Sequence, residues 1–253
     1  MTYQSVNTSD GKALKSFEEQ TDWSRPRLGA CAIPISMPRS RRARTETSFG
    51  SRHLTGSLEL MGAPMSFARN AEIYGENEPA DYLYKVVTAT VRTYKVLTDG
   101  RRQIGAFYFP GDVFGLETGE KHIFSADAIS DARVLVVKRS TVTKLAVCDN
   151  GVARQLWTLT SDELDRAQNH IMLLVKTAQE RVAGFLLEMA KRVPRGDDVE
   201  LPMSRQDIAD YLGRTIATVS RTLTQLEASA IIALPTSRRI VISNRAALNR
   251  LNA

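Results

Sequence analysis

The chain is poor in the residues from which disulfides and metal sites are built. Its 253 residues include two cysteines and three histidines. Cys31 and Cys148 lie far apart, without a Cys-x-x-Cys pair or nearby histidines, which excludes a disulfide framework and a four-cysteine zinc site. His53, His122 and His170 are isolated, so they give no argument for haem ligation or for a metal-dependent enzyme. We therefore expect no metal site and no cofactor.

Long apolar runs are also missing. No stretch approaches the roughly 20 apolar residues that a membrane helix needs. The first residues lack the apolar core of a signal peptide. No catalytic triad, phosphate loop or pair of carboxylates stands out, so we expect no catalytic residue. The sequence thus predicts a cytoplasmic protein that is not an enzyme and has no membrane partner.

Charge is distributed unevenly along the chain, whose formal net charge is +6. Residues 1–52 carry nine basic and five acidic side chains, residues 53–190 carry fifteen and seventeen, and residues 191–253 carry ten and six. A basic end domain is compatible with phosphate binding, although many basic domains bind no nucleic acid. Residues 1–52 are rich in Ser, Thr, Arg and Pro, and we expect a disordered basic arm. That arm is either a solvated tail or a source of unspecific attraction to phosphates.

Residues 53–150 are expected to form a small antiparallel β-roll. Short β-rich runs alternate with turn signals from about Glu72 to Arg139. Within 87–92, the alternation predicts a strand whose odd-numbered residues face one side and whose even-numbered residues, Arg92 included, face the other. Further signals are a hairpin turn at Asp99-Gly100, a strand at 104–109, a turn at 110–112 and a buried strand at 134–137.

A long amphipathic helix is predicted next, from about Gly151 to Ala178 within a dimerisation segment at 151–180. Its seam residues recur at alternating three- and four-residue steps, as in a coiled coil. A seam of this length exceeds what one small β-roll needs to cover. We therefore expect a homodimer; the alternative is that the stripe packs on its own domain. Arg166 and His170, beside the seam, are expected to fix register or face solvent. The predicted dimer contacts are Trp157, Leu164, Ala167, Ile171 and Leu174.

The segment 181–253 has the pattern of a winged helix-turn-helix. It opens with a helix whose apolar residues at 182–189 recur at helical spacing. In the next helix, Ser204 and Asp207 form a capping-box-like start. That helix must stop at Gly213, the residue that best accepts the left-handed conformation of a tight turn.

A second helix follows the turn and carries the predicted function. It is capped by Thr215 and is apolar on its inner face at 219, 223 and 226. Residues at the protruding N-terminal end of such a helix can reach base edges in a DNA major groove. Arg221 suits a bidentate contact with guanine, although any one of these residues alone could simply face solvent. The expected base contacts are Ile216, Ala217, Ser220 and Arg221.

A basic hairpin is predicted after the second helix. Apolar strands at 231–234 and 240–242 flank the basic segment 235–239, which indicates a two-stranded wing. A helix-turn-helix followed by such a hairpin is more specific than either part. Phosphate contacts position a protein on double-stranded DNA without reading its sequence. The expected phosphate contacts are Ser204, Thr215, Thr218, Arg238 and Arg239.

Two stretches resemble the DNA-binding domain of the CRP/FNR family. They are MSRQDIADYLG at 203–213 and TVSRTL at 218–223. The resemblance covers about residues 65–253 and is closest to the FixK-like branch, regulators of low-oxygen and nitrogen-metabolism genes in bacteria. It implies an α+β fold with an N-terminal antiparallel β-roll of the cyclic-nucleotide-binding type, a long dimerisation helix and a C-terminal winged helix-turn-helix. It also implies a dimer that binds TTG-N8-CAA-like palindromes and activates RNA polymerase.

The chain departs from the family pattern at several functional positions. Ser220 and Arg221 match the family's base-reading residues, but Ala217 stands where many members have Glu, whose carboxylate accepts a hydrogen bond from cytosine. Cyclic-nucleotide-responsive members use a Gly-Glu-Leu stretch and an Arg-Ser pair. Here 115–117 reads Gly-Leu-Glu and 124–127 supplies no arginine, so cyclic AMP binding is not expected.

The sensor chemistry known in the family also finds few matching residues. A single cysteine near the N-terminus excludes the iron–sulfur cluster of oxygen-sensing members. Ser204 occupies the position where some FixK-like proteins carry an oxidation-sensitive cysteine, and Cys148 is either a thiol sensor or a small buried hydrophobe. Two rival functions remain open. One is a family member gated by a small effector such as haem with NO or CO, and the other is an enzyme that uses the β-roll as its catalytic domain.

Overall fold

The structure, a computed structural model, describes residues 61–117, 119–192 and 198–252, so the predicted basic arm at 1–52 lies outside it. The strands are β1 (Ala63–Phe67), β2 (Glu72–Tyr74), β3 (Tyr82–Thr88), β4 (Val91–Val96), β5 (Arg102–Tyr108), β6 (Val113–Phe114), β7 (Ser125–Ala128), β8 (Ala132–Lys138), β9 (Asp198–Glu200), β10 (Ile232–Ala233) and β11 (Arg239–Ile242). The helices are α1 (Arg139–Cys148), α2 (Asn150–Leu174), α3 (Ala178–Arg192), α4 (Arg205–Leu212), α5 (Ile216–Ala228) and α6 (Arg245–Asn252).

Two antiparallel sheets make the predicted β-roll. One has the strand order β1-β8-β3-β6 and the other β2-β7-β4-β5. An aromatic core lies between them, in which the ring of Tyr84 is 5.1 Å from Tyr74 and 5.1 Å from Phe114, centroid to centroid. Alternating apolar residues on short strands bury one face of each sheet in this way.

The predicted turns are confirmed where glycine accepts a left-handed backbone. Gly100 has φ +81° in the β4–β5 hairpin, and Gly111 has φ +99° before β6. The single strand predicted over 87–92 is wrong. Ala89, with φ +69°, separates β3 from β4, which belong to different sheets, and Arg92 is buried.

The long helix ends earlier than predicted. It stops at Leu174, and Ala178 begins the following helix α3. The break has a local cause, because Thr177 and Glu180 form a reciprocal cap. The backbone N–H of Thr177 donates to Glu180 Oε2 at 2.7 Å, and that of Glu180 donates to Thr177 Oγ1 at 3.4 Å. The sequence encodes this break as a Thr-x-x-Glu signature of a helix start, which interrupts the seam periodicity.

The helix-turn-helix follows the sequence prediction closely. Ser204 caps α4 in a full capping box with Asp207, Gly213 ends α4 with φ +59°, and Thr215 caps α5. The wing differs, because β9 adds a third strand in the order β10-β11-β9. The three-residue strand β9 was too short to give a pattern of its own.

The winged domain and the β-roll share one apolar core. Ile104 and Phe107, from β5, are buried among residues of α3 and α4. The ring of Phe107 lies 5.2 Å from Tyr211 and 6.5 Å from Phe185. The β-roll sheet that contains β5 therefore supports the helix-turn-helix directly.

Candidate nucleic-acid interface

The first turns of α5 present the predicted base-reading residues outward. Ile216 is 45% exposed, Ala217 and Arg221 are exposed, and Ser220 is half-buried. The opposite face holds α5 to the domain, and its buried residues are Val219, Thr222, Leu223 and Leu226. Ile216 is not among the buried residues of α5, so its side chain is available to a partner surface.

At the two helix starts, the hydroxyl groups of the predicted phosphate contacts already make local hydrogen bonds, and those of Thr215 and Thr218 lie 2.9 Å apart, oxygen to oxygen. Thr215 Oγ1 accepts from the Thr218 backbone N–H at 3.2 Å, and both residues lie at the positive end of α5. Ser204 Oγ instead donates to Asp207 Oδ2 at 2.7 Å, within the capping box. A phosphate contact by the Ser204 hydroxyl would have to compete with that bond.

The two wing arginines also differ. Arg238 is exposed at the tip, and its backbone carbonyl accepts from the Leu201 N–H at 2.7 Å, which anchors the wing. Arg239 pairs with Asp198 of β9 at 2.6 Å, and this hydrogen-bonded carboxylate raises the pKa of Arg239. The missed third strand thus engages one of the two predicted phosphate contacts.

The predicted dimer seam lies on the surface of α2. Trp157 is 76% exposed, Leu164 57% and Ile171 62%, Ala167 is also exposed, and Leu174 is half-buried. Of the residues of α2, only Val152 and Leu173 are buried. The alternative, that the stripe packs on its own domain, does not describe this protomer.

A cavity of about 520 Å³ lies between the β-roll and α2. Its wall includes Gly115 and Glu117 and two arginines, Arg166 and Arg192. Both guanidinium groups are already ion-paired: Arg166 with Glu163, and Arg192 with Asp112 at 2.6 Å. A nucleotide phosphate bound to either arginine would have to compete with its carboxylate.

His170 points into its own protomer instead of facing solvent, which corrects one of the two expected roles. Its ring stacks on Tyr211 of α4, with centroids 4.0 Å apart and planes 1° from parallel. Nε2 lies 2.8 Å from the Tyr211 carbonyl, to which it donates. Burial lowers the pKa of His170, although backbone hydrogen bonds with Tyr211 and Gly105 oppose the shift.

We expect His170 to make the fold sensitive to mild acid. Its folded pKa lies below its ordinary value of 6.5, so its stabilising contribution is complete above that pH and is lost as the pH falls toward the folded pKa. The melting temperature should therefore fall as the pH drops below about 6.5, the ordinary pKa of histidine. The fall should be smaller for His170→Gln, which keeps a hydrogen-bond donor. An unchanged pH dependence in this variant would contradict the assignment.

Several other expectations concern single side chains. Cys148 is exposed at the end of α1, so the buried-hydrophobe interpretation is wrong. Within the described ranges, no group of three His, Cys, Asp or Glu side chains is arranged to hold a metal. In the same part of the chain, no helix has both the length and the apolarity to cross a membrane.

Sequence reasoning missed a set of charges that joins the two domains. Arg92 contacts Asp207 of α4 across 115 positions of sequence, and Arg102 contacts Asp210 across 108. No pattern of short range could reveal such pairs. Asp207 was recognised only as a capping residue.

Two family models match this chain. The Crp-like helix-turn-helix domain covers residues 180–251, and the cyclic nucleotide-binding domain covers residues 64–147. Together they span the winged domain and the β-roll.

Curated proteins and a solved structure are also similar. The nitrogen fixation regulation protein FixK of Azorhizobium caulinodans is 52% identical over 202 residues, which are 78% of this chain and 82% of that protein. The transcriptional activatory protein AadR of Rhodopseudomonas palustris is 36% identical over 182 residues, 70% of this chain and 76% of that protein. The structure of FixK2 from Bradyrhizobium japonicum has a TM-score of 0.74 and 52% identity, and covers 76% of this chain and 98% of that chain.

The β-roll, the long helix and the capped helix-turn-helix occur in the order that these matches require. Since the relatives are transcription regulators and both domain models match, the chain belongs to the CRP/FNR family of DNA-binding transcription regulators, in its FixK-like branch.

Proposed function

We propose that this regulator is a homodimeric activator that reads TTG-N8-CAA-like palindromes at low-oxygen or nitrogen-metabolism promoters and contacts RNA polymerase there. The observation that carries the proposal is the outward face of α5, on which Arg221 and Ile216 are exposed beside the wing. The names of the relatives, which include nitrogen fixation regulators and an activatory protein, support the choice of genes and the sign of regulation.

Dimerisation would set the distance between the α5 helices of the two copies. Two copies joined along the α2 seam would dock one α5 each in successive major grooves, about 34 Å apart on one side of the duplex. The exposed apolar residues of α2, Trp157 and Ile171 among them, are what a second copy would bury. A palindrome is the expected site because it repeats the two-fold symmetry of the protein.

The residues of α5 divide between base reading and backbone positioning. We assign Arg221 to guanine, Ile216 to a thymine methyl group and Ser220 to a neighbouring base edge. Thr215 and Thr218, at the start of α5, are assigned to phosphates because the helix N-terminus favours anions. In the wing, Arg238 is the stronger candidate for a phosphate contact, since Arg239 already pairs with Asp198.

The first test is binding of the purified chain to a fluorescent TTG-N8-CAA duplex against a scrambled competitor at fixed salt, because phosphate contacts dominate unspecific affinity. We expect a dimer to bind the palindrome selectively without any added ligand. Equal affinity for both duplexes would refute the proposed site, and selection from random duplexes would then identify the real one.

Ala217 is expected to lower selectivity at one base pair of each half-site. It lacks the carboxylate with which many relatives accept a hydrogen bond from cytosine, and one such contact discriminates by roughly 1–3 kcal/mol. Ala217→Glu should therefore sharpen discrimination at that pair, measured as the affinity ratio between the palindrome and single-base variants. Thr224→Glu, which adds the same charge at an exposed position further along α5, is the control. Equal sharpening by both variants would contradict a specific contact.

Activation is tested by transcription in vitro with purified RNA polymerase at a promoter that carries the palindrome. The proposal requires more transcript when the protein is added. Binding that only represses, over a series of promoter spacings, would refute the activator role.

A second candidate function, gating by a small effector, is favoured by the cavity of about 520 Å³ between the β-roll and α2. Leu164, Ala167 and Ile171 belong both to its wall and to the proposed dimer seam. An effector there would act directly on the dimer. Gating by haem is the best-defined form of this hypothesis, and it is tested by haem reconstitution followed by visible absorption, with and without CO. Absence of a stoichiometric haem spectrum would refute it.

A further inference from the structure

Five charged side chains lie together where the β-roll meets α4. They are Arg92 of β4, Arg102 of β5, Asp127 of β7, and Asp207 and Asp210 of α4. Two cations therefore face three anions, in an interface whose remaining contacts are largely apolar. We call these five residues the interdomain ion network.

Each arginine bridges two carboxylates. Arg92 lies 2.6 Å from Asp127 Oδ1 and 2.6 Å from Asp207 Oδ1. Arg102 reaches the same Asp207 oxygen at 2.6 Å and Asp210 Oδ2 at 2.8 Å. Asp207 is the shared centre, and it also accepts from the Ser204 backbone and hydroxyl. The network thus runs from the sheet to the N-terminal cap of the first helix of the motif.

The network is largely withdrawn from water. The side chains of Arg92 and Asp127 are each 9% exposed and that of Asp207 is 4% exposed, while Arg102 and Asp210 form the rim. Burial opposes ionisation of Asp207, but the hydrogen bonds from Ser204 and the two guanidinium groups prevail and hold its pKa below the ordinary value. Asp207 is therefore ionised at neutral pH, and it pairs with both arginines of the network.

The other end of α4 is held as well. Gln103, next to Arg102 on β5, donates to the Tyr211 carbonyl at 3.2 Å, and Arg181 of α3 donates to the Leu212 carbonyl at 2.6 Å. These bonds occupy carbonyls at the C-terminal end of α4, which otherwise lack intrahelical partners. Both ends of the helix are thus fixed relative to the sheet.

At this contact, apolar packing supplies attraction and the ion pairs restrict the geometry. Burial of Phe107 against Tyr211 and Phe185 supplies attraction, but the hydrophobic effect is not directional. Arginine–carboxylate pairs demand defined geometry, and an unpaired buried charge is costly. The network therefore penalises any other seating of α4 on the sheet.

We infer that the interdomain ion network is an orientation latch, which fixes the helix-turn-helix on the β-roll so that α5 presents its reading face at the angle needed for DNA. α5 follows α4 after the tight turn at Gly213, so the seating of α4 sets the direction of α5. Arg92 and Arg102 are positioning residues that touch no base. This inference rests on the proposed function.

The test compares Arg102→Met with Arg101→Met. The first change removes the rim cation of the latch and keeps the apolar stem, whereas the second removes the same charge from the neighbouring exposed pair with Asp99. We expect Arg102→Met to weaken binding to the TTG-N8-CAA duplex about tenfold, a usual size for coupling between structural elements. Arg101→Met and unspecific binding should change little. Arg102→Lys should recover only part of the affinity. Its ammonium group restores the positive charge but lacks the bidentate geometry of a guanidinium group.

A distance measurement separates orientation from simple loss of stability. Spin labels on Cys148 and on Ser237→Cys, in a Cys31→Ser background diluted with unlabelled chain, report the distance between the β-roll and the wing. We expect one narrow distribution for the wild-type arginine and a broad one for Arg102→Met, at temperatures well below the melting transition of both.

The results distinguish failure of the latch from failure of the proposed function. A wild-type chain that ignores the palindrome refutes the proposed site, and the distance distributions then decide the latch by themselves. Equal affinity losses for Arg101→Met and Arg102→Met would overturn the latch. So would a narrow distance distribution in the Arg102→Met protein as well as in the protein with the wild-type arginine. Arg92→Met is a poorer test because it leaves Asp127 and Asp207 buried without their shared cation.

Discussion

Arg221→Ala is expected to abolish selective DNA binding while leaving unspecific binding nearly intact. Each half-site loses a bidentate guanine contact worth roughly 1–3 kcal/mol, and the dimer loses two of them. The exposed guanidinium group is not needed for the fold, since Arg221 lies on the face of α5 opposite the buried Val219 and Leu223. The melting temperature should therefore stay the same.

The measurement is the ratio of affinities for the palindrome and for a scrambled duplex. Arg250→Ala on α6 is the matched control, because it removes one exposed positive charge from the same domain away from α5. That variant should weaken binding to both duplexes slightly and equally. If Arg221→Ala also weakened both duplexes equally, its side chain would be a phosphate contact and not a base reader.

Leu164→Asp is expected to convert the dimer to a monomer. Leu164 lies in the middle of the exposed seam of α2, where a second copy would enclose it. A carboxylate buried against its symmetry mate would meet both desolvation and like-charge repulsion. Sedimentation of the purified variant at micromolar concentration should therefore give the mass of one chain.

DNA binding should fall with the loss of the dimer. A linked pair of reading heads gains an effective concentration that raises avidity by roughly 10²–10⁴ over a single head. Thr158→Asp, which adds the same charge at an exposed position of α2 outside the seam, is the control and should remain dimeric. A Leu164→Asp chain that stays dimeric would place the interface elsewhere on the protein.

Local signals predicted most of the DNA-binding motif. The capping box of Ser204 and Asp207, the glycine at 213 and the cap at Thr215 are encoded within a few residues of each other, and the structure confirms all three. The Asp99-Gly100 hairpin is of the same kind. Such features depend on backbone sterics and short hydrogen bonds, so a short stretch of sequence contains all the information they need.

The wrong predictions concern the ends of elements, where a periodic pattern continues past the point at which the helix or strand stops. The helical period continued through 175–177, although the Thr177 cap interrupts the helix there. The alternation at 87–92 ran across a change of sheet at Ala89. Periodicity reports which side of an element is apolar, but not where one element gives way to the next.

By itself, the sequence determined the elements of the helix-turn-helix and the exposed face of α5, because caps, turns and hydrophobic periods are local properties, and its resemblance to the CRP/FNR family indicated the class of protein and the order of its domains. The tertiary structure alone decided that Arg92 is buried, that Asp198 engages Arg239, and that the β-roll holds α4 through charges more than 100 positions away. Those contacts depend on which surfaces meet when two domains pack, and the pairing of distant charges leaves no periodic trace in the chain.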